Sequence, residues 1–238
     1  MRRGASLLLA LLLSLAGPGD ALAKKGAGKK TRKPVTVPVQ IGIGPAIHNI
    51  TGPLADDQIF HYGLKTYAAA VLDREWLNEH KKAIPKAYRK RVLKMNEVRI
   101  SPLILALIPD TVWISPKIGR TGMYGAAFRP LAFGFAPVST GTFRLDLAAG
   151  LLLAYAYIHS DVPRIGTTHF LRPGIDLKLS MEVAFSRAFQ LSFGWASQFY
   201  VPQTLGASLW DVSFKGSLWH VGQAFLLANF RFPYEYTL

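Results

Sequence analysis

The residues with chemistry to offer are few and widely spread. His48, His61, His80, His159, His169 and His220 stand apart, without the spacing that metal ligation requires. The chain has no cysteine. Thiolate nucleophiles, Cys-ligated zinc, iron–sulfur clusters and disulfide staples are therefore excluded. There is no glycine-rich phosphate loop, no Gly-x-Ser-x-Gly turn and no His-Glu-x-x-His helix. The tripeptide His159-Ser160-Asp161 joins a base, a hydroxyl and an acid, the residue types of acyl transfer, but a polar loop at a strand end accounts for it more simply. No catalytic residue, metal or cofactor is expected, and the chain does not read as an enzyme.

Charge is the stronger signal. The net charge is +14, and it is concentrated rather than spread. Lys24, Lys25, Lys29, Lys30, Arg32 and Lys33 crowd one short stretch, in which the interspersed glycines favour a flexible tail. Lys81, Lys82, Lys86, Arg89, Lys90, Arg91 and Lys94 form a second run with no acid among them. Ahead of it, Asp73-Arg74-Glu75-Trp76-Leu77 reads as a helix start, its acids favourable near the N-terminus, and Pro85 breaks the pattern before Ala87 to Met95 resumes it. Residues 74–96 are thus expected to form a basic helical insert able to dock an anionic surface or partner.

The chain opens with Arg2 and Arg3, an apolar run from Leu7 to Ala16, the breaker Gly17-Pro18-Gly19 and then Ala21-Leu22-Ala23. This is the three-part pattern of a cleavable secretory signal over 1–23, too short in its apolar part to span a bilayer as a helix. Export makes nucleic acid an improbable partner in spite of the charge. It leaves 24–34 as the basic tail and 35–238 as the folded domain.

That domain alternates with period two. Ile175, Leu177, Leu179, Met181, Val183 and Phe185 interleave with Asp176, Lys178, Ser180, Glu182 and Ala184. Phe189, Leu191, Phe193, Trp195 and Phe199 oppose Gln190, Ser192, Gly194, Ala196 and Gln198, with Ser186-Arg187-Ala188 as the hairpin turn between the two strands. Phe143, Leu145, Leu147, Ala149, Leu151, Leu153, Tyr155 and Tyr157 form another apolar face. Val35 to Ile43 suggests an opening strand, Ile59 to Leu72 and Tyr124 to Phe135 suggest others, and Val98 to Ile118 is interrupted by Pro102, Pro109 and Pro116. Folding the hairpin around His159 to Thr168 brings Arg144 opposite Glu182 and Asp146 near Ser180 and Lys178. Arg144, Asp146, Lys178 and Glu182 should therefore form a charge network on the inward face, either a solute site or, more simply, a salt-bridge filling.

Strands greasy on one face and small or charged on the other fit an all-β, antiparallel, up-and-down transmembrane barrel. Tyr155, Tyr157, Trp195, Tyr200, Trp219 and Tyr234 would supply its interfacial aromatic girdles. Eight strands is the expected number and ten the alternative. With the final strand ending in the periplasm, the long connections fall outside, and both basic segments fall on the periplasmic side.

From Leu218 to Leu238 the even positions are mainly apolar. The last ten residues of this run resemble the C-terminal strand of outer-membrane barrels, which their insertion machinery recognises, although the final residue is Leu238 and Pro233 lies within the strand. In pattern the folded domain resembles the small, eight-stranded outer-membrane β-barrel proteins. The resemblance implies an outer-membrane location and a lipid environment, but no substrate. The expected role is structural or binding, with the basic insert docking anionic lipid, peptidoglycan or an envelope protein. A small pore or hydrophobic-solute channel is one alternative. A lipid-modifying enzyme is the other, since barrel enzymes acting on lipid A acyl chains resemble this chain in placing a His and a Ser at an outer strand end.

Overall fold

A computed structural model describes residues 34–51, 61–82, 84–101, 108–118, 120–161, 163, 166–202 and 219–237. The signal segment and nearly all of the basic tail lie outside them. The strands are β1 (Pro34–Thr51), β2 (His61–Asp73), β3 (Glu97–Ser101), β4 (Pro109–Ile118), β5 (Thr121–Ser139), β6 (Phe143–Ser160), β7 (Thr167–Ala184), β8 (Phe189–Tyr200) and β9 (Trp219–Thr237). Two short helices, α1 (Arg74–Glu79) and α2 (Lys86–Val92), lie between β2 and β3.

All strand pairings are antiparallel, and the sheet closes because β1 pairs with both β9 and β2. The segments β3 and β4 share one place in the wall between β2 and β5, so the ring has eight positions and the ten-strand alternative is set aside. The proline-marked stretch is where that wall position divides. Register shifts flank it, between Pro109 and Thr111 and between Ser115 and Ile118. Pro233 of β9 pairs with Pro38 of β1, at a level where neither strand has a second paired neighbour and the missing N–H groups cost no ladder bond.

Two tight turns define one rim. Thr140 Oγ1 accepts from the Phe143 amide at 2.9 Å and closes 140–142. Ser186 Oγ accepts from the amides of Ala188 and Phe189 at 3.2 and 2.9 Å, closing the hairpin between β7 and β8. At the other rim the turn before β7 uses Gly166 at φ 58°, a left-handed conformation that suits glycine.

The alternation sorts side chains as the sequence suggests. Leu153, Leu177 and Leu179 point outward and are 47, 50 and 48 % exposed, whereas Asp146, Asp176 and Glu182 point inward and are buried. A wall apolar on its outside and polar within, with every strand paired on both sides, is the arrangement a β structure needs to cross lipid. Among the described residues no helix is long and apolar enough to do so.

The girdle expectation needs correction at two positions. Tyr155, Tyr157, Trp195 and Tyr234 are on the outside, but Tyr200 and Trp219 are buried in the lumen. Period two decides this. Phe199 and His220 take the outward positions of the cross-strand pair, and their chain neighbours must turn inward.

Candidate functional site

The lumen is filled in layers. Next to the rim that carries the tight turns, Glu182 accepts from Arg99 Nη1 and Nη2, both at 3.1 Å, from Arg144 Nη1 at 2.9 Å and from Gln40 Nε2 at 2.9 Å. Arg99 also bonds Glu97 at 2.7 Å, and Glu97 in turn lies 3.4 Å from Arg231 and 3.6 Å from Arg144. One step deeper, Lys178 pairs with Asp146 at 2.8 Å, and Asp146 lies 3.6 Å from Arg99. The β6–β7 register sets these neighbours, pairing Arg144 with Glu182, Asp146 with Ser180 and Ala148 with Lys178. The four charges named from the sequence thus lie in one connected network.

Asp176 and Gln198 of the rest of that network stand on the polar faces of the regular strands, whereas Lys65, Tyr67, Arg99, Asp110 and Arg129 are not marked by period-two alternation. The Tyr67 ring lies between three cations, with Lys178 Nζ 4.0 Å, Arg129 5.5 Å and Arg99 6.0 Å from its centroid, and this cation–π contact joins the first layers to the next. There Asp110 binds Lys65 and accepts from Gln198 at 3.3 Å, while Arg129 bridges Asp110 at 3.2 Å and Asp176 at 3.1 Å. Thr111 Oγ1 then receives Gln198 and Gln223, each at 3.2 Å, and Gln223 contacts His48 Nδ1 at 3.1 Å. Buried ions persist when they are paired and hydrogen-bonded; each carboxylate named here faces a cation, although Asp146 Oδ1 and Asp176 Oδ1 have no hydrogen-bond partner among the described residues.

Toward the opposite rim the lining becomes apolar. Ile50, Trp113, Met123, Ile158, Phe170, Tyr200, Trp219 and Val221 pack together. Phe170 stacks on Trp219 at 4.5 Å and meets Tyr200 edge-on at 5.5 Å. The space left inside this plug is about 10 Å³, too little for a bound solute. A signal for it exists in the sequence. From Leu153 to Ile158 both faces of β6 are apolar or small, so the strand end loses its polar face.

His159 and Ser160 do not converge. His159 is exposed and its Nδ1 lies 3.0 Å from Thr167 Oγ1, whereas Ser160 points inward and its Oγ is 2.6 Å from Thr121 Oγ1. Adjacent residues of one strand face opposite sides, which separates the two groups that an acyl-transfer site would need together.

The basic segment does not project freely from the barrel. Asp73 caps α1 by accepting from the Trp76 amide at 2.8 Å, and Trp76 Nε1 donates to the Thr36 carbonyl of β1 at 3.0 Å. Leu77 and Ile84 are buried with Val37, Ala70, Leu72, Val98 and Ile100, and Trp76, Val92, Leu93 and Met95 pack against the same cluster. Arg89 serves the segment's own fold, donating to the Ile84 carbonyl at 3.0 and 3.2 Å and to the Lys82 carbonyl at 3.4 Å. Lys81, Lys82, Lys86, Lys90, Arg91 and Lys94 are exposed.

The fold and the site together define the class: a closed eight-stranded membrane-type β-barrel with a filled lumen and a basic segment at one rim. No family model and no curated protein matches the chain. Among solved structures it is similar to Neisserial surface protein A, at 10 % identity and a TM-score of 0.49 over 82 % of this chain and 97 % of that one. Ail, the attachment invasion locus protein of Yersinia pestis, gives 10 % and 0.44 over 82 and 99 %. The outer membrane protein OprG from Pseudomonas aeruginosa gives 10 % and 0.30 over 85 and 97 %. The likeness concerns the barrel and carries no activity over to this chain.

Proposed function

We propose that the chain is an outer-membrane barrel with a structural or binding role, exported by its signal segment, whose basic insert docks an anionic component of the envelope. The observation that carries this reading is the filled lumen. Charged layers and an aromatic plug occupy the interior that a pore would have to leave open, so the surfaces left for recognition are the outside and the rims. The rim with the short turns at 140–142 and 185–188 is assigned to the periplasm, and 74–96 emerges from that same rim. The inward charges Arg144, Asp146, Lys178 and Glu182 are read as stabilising cross-links of the barrel rather than as a solute site.

Cells making the full-length protein test the reading. It should fractionate with the outer membrane and migrate differently on a gel before and after heating, and a tag placed within 81–94 should resist protease added to intact cells. Recovery as a soluble periplasmic protein would overturn the barrel reading. Cleavage of the tag would overturn the periplasmic assignment of the rim.

A further inference from the structure

The outward positions of the wall are not equally open. Most of the large apolar side chains there are half exposed, as at Ile43 (53 %) and Leu177 (50 %). On one sector near the periplasmic rim the outward residues Val37, Ala70, Leu72, Val98 and Ile100 are only 1 to 4 % exposed. Parity shows that these are outward positions, because their neighbours Val71 and Arg99 face the interior and Arg99 binds Glu182 there. What covers them is the segment 74–96. Leu77 and Ile84 seat on the patch, with Leu131 and Phe133 of β5 at its margin. The segment is therefore a strap fastened to the surface that elsewhere faces lipid, not an arm reaching into the aqueous space.

An element held there has its apolar side on the barrel and its remaining surface at the level of the lipid headgroups. That surface carries Lys81, Lys82, Lys86, Lys90, Arg91 and Lys94, all exposed, while the acids Glu75 and Glu79 are confined to α1. We infer that the strap is an interfacial element that gathers anionic phospholipid headgroups from the periplasmic leaflet around this sector of the barrel. The inference rests on the docking reading and names its partner. Two features of the strap favour lipid over a partner in the aqueous space: its cations lie beside the apolar wall where headgroups must sit, and they are spread along the strap rather than gathered in a pocket.

The test uses the full chain reconstituted in phosphatidylcholine vesicles containing a trace of spin-labelled lipid, either phosphatidylglycerol or phosphatidylcholine. The motionally restricted fraction of each label reports its association with the protein. Phosphatidylglycerol should be preferred by about fivefold or more, and the preference should fall toward unity in about 0.5 M salt. The variant K81Q/K82Q/K86Q/K90Q/R91Q/K94Q should lose the preference while keeping its heat-modifiable barrel. L77S/I84S, which retains every cation but loosens the strap from the wall, should lose most of it as well, a result that charge alone would not give. Equal restriction of the two lipids by the wild type would overturn the inference. If wild type but not the six-cation variant then sediments with purified peptidoglycan, the docking reading survives with a different partner; if neither does, the inference fails and the docking reading is left with an acidic envelope protein alone.

Discussion

Replacing Glu182 with alanine should destabilise the folded barrel by about 3–5 kcal/mol. Its carboxylate is the shared acceptor of Arg99, Arg144 and Gln40, and its removal leaves two guanidinium groups facing each other with Glu97 as their nearest remaining acid. Glu182→Gln should also destabilise, because one of the oxygens facing arginine becomes an N–H₂ donor. The double variant E182M/R99M should recover a large part of the loss, since Glu97 keeps Arg144 and Arg231 and Asp146 keeps Lys178. Urea unfolding of the refolded protein in vesicles, followed by heat-modifiable migration, measures all three. A Glu182→Ala barrel as stable as wild type would show that the network contributes nothing to holding the ring.

The second large effect belongs to the outside. Leu177 lies near the middle of β7 on the outward face and is half exposed, so in the membrane it meets lipid tails. Leu177→Arg should cost about 2–4 kcal/mol, whereas Val138→Arg, on the outside but close to the rim, should cost about 0–1 kcal/mol. The difference between the two sites isolates burial in lipid from the generic cost of adding an arginine. In a soluble sandwich both positions would meet water or protein, and no such depth dependence would appear. Equal costs at the two sites would therefore count against a membrane-spanning wall.

Regular alternation made the strands from Phe143 onward legible, and with them the neighbours of Arg144, Asp146, Lys178 and Glu182, because an antiparallel hairpin of known turn fixes its cross-strand pairs. The remaining network was not legible for a local reason in each case. Lys65 leads into the run Tyr67 to Leu72, where both faces are apolar, one filling the lumen and the other covered by the strap. Arg129 stands at a register shift between Phe128 and Leu131, which breaks any count of twos, and Asp110 follows a proline at a second shift. Tyr200 and Trp219 resemble girdle residues by type and by place at the strand ends, and only the parity of their strands puts them inside.

The strap shows the same limit from another side. Composition marked 74–96 as basic and helical, but Leu77 and Ile84 acquire their meaning only once Val37, Ala70, Leu72, Val98 and Ile100 are assembled from three separate strands into one outward patch. Arg89, counted by type with the other cations, spends its guanidinium on carbonyls of the strap itself. Nothing in a run of basic residues distinguishes the one that folds the segment from those that face outward.

A barrel with its interior filled by the charged layers and the aromatic plug should carry no ion current. Current across a planar bilayer containing the purified, refolded, full-length protein tests it most directly. The bilayer should stay electrically silent after insertion, with barrels shown to be present by heat-modifiable migration of the recovered protein. Reproducible single-channel steps would contradict it, because a steady ion current needs a continuous aqueous path through the layers from Glu182 to Trp219.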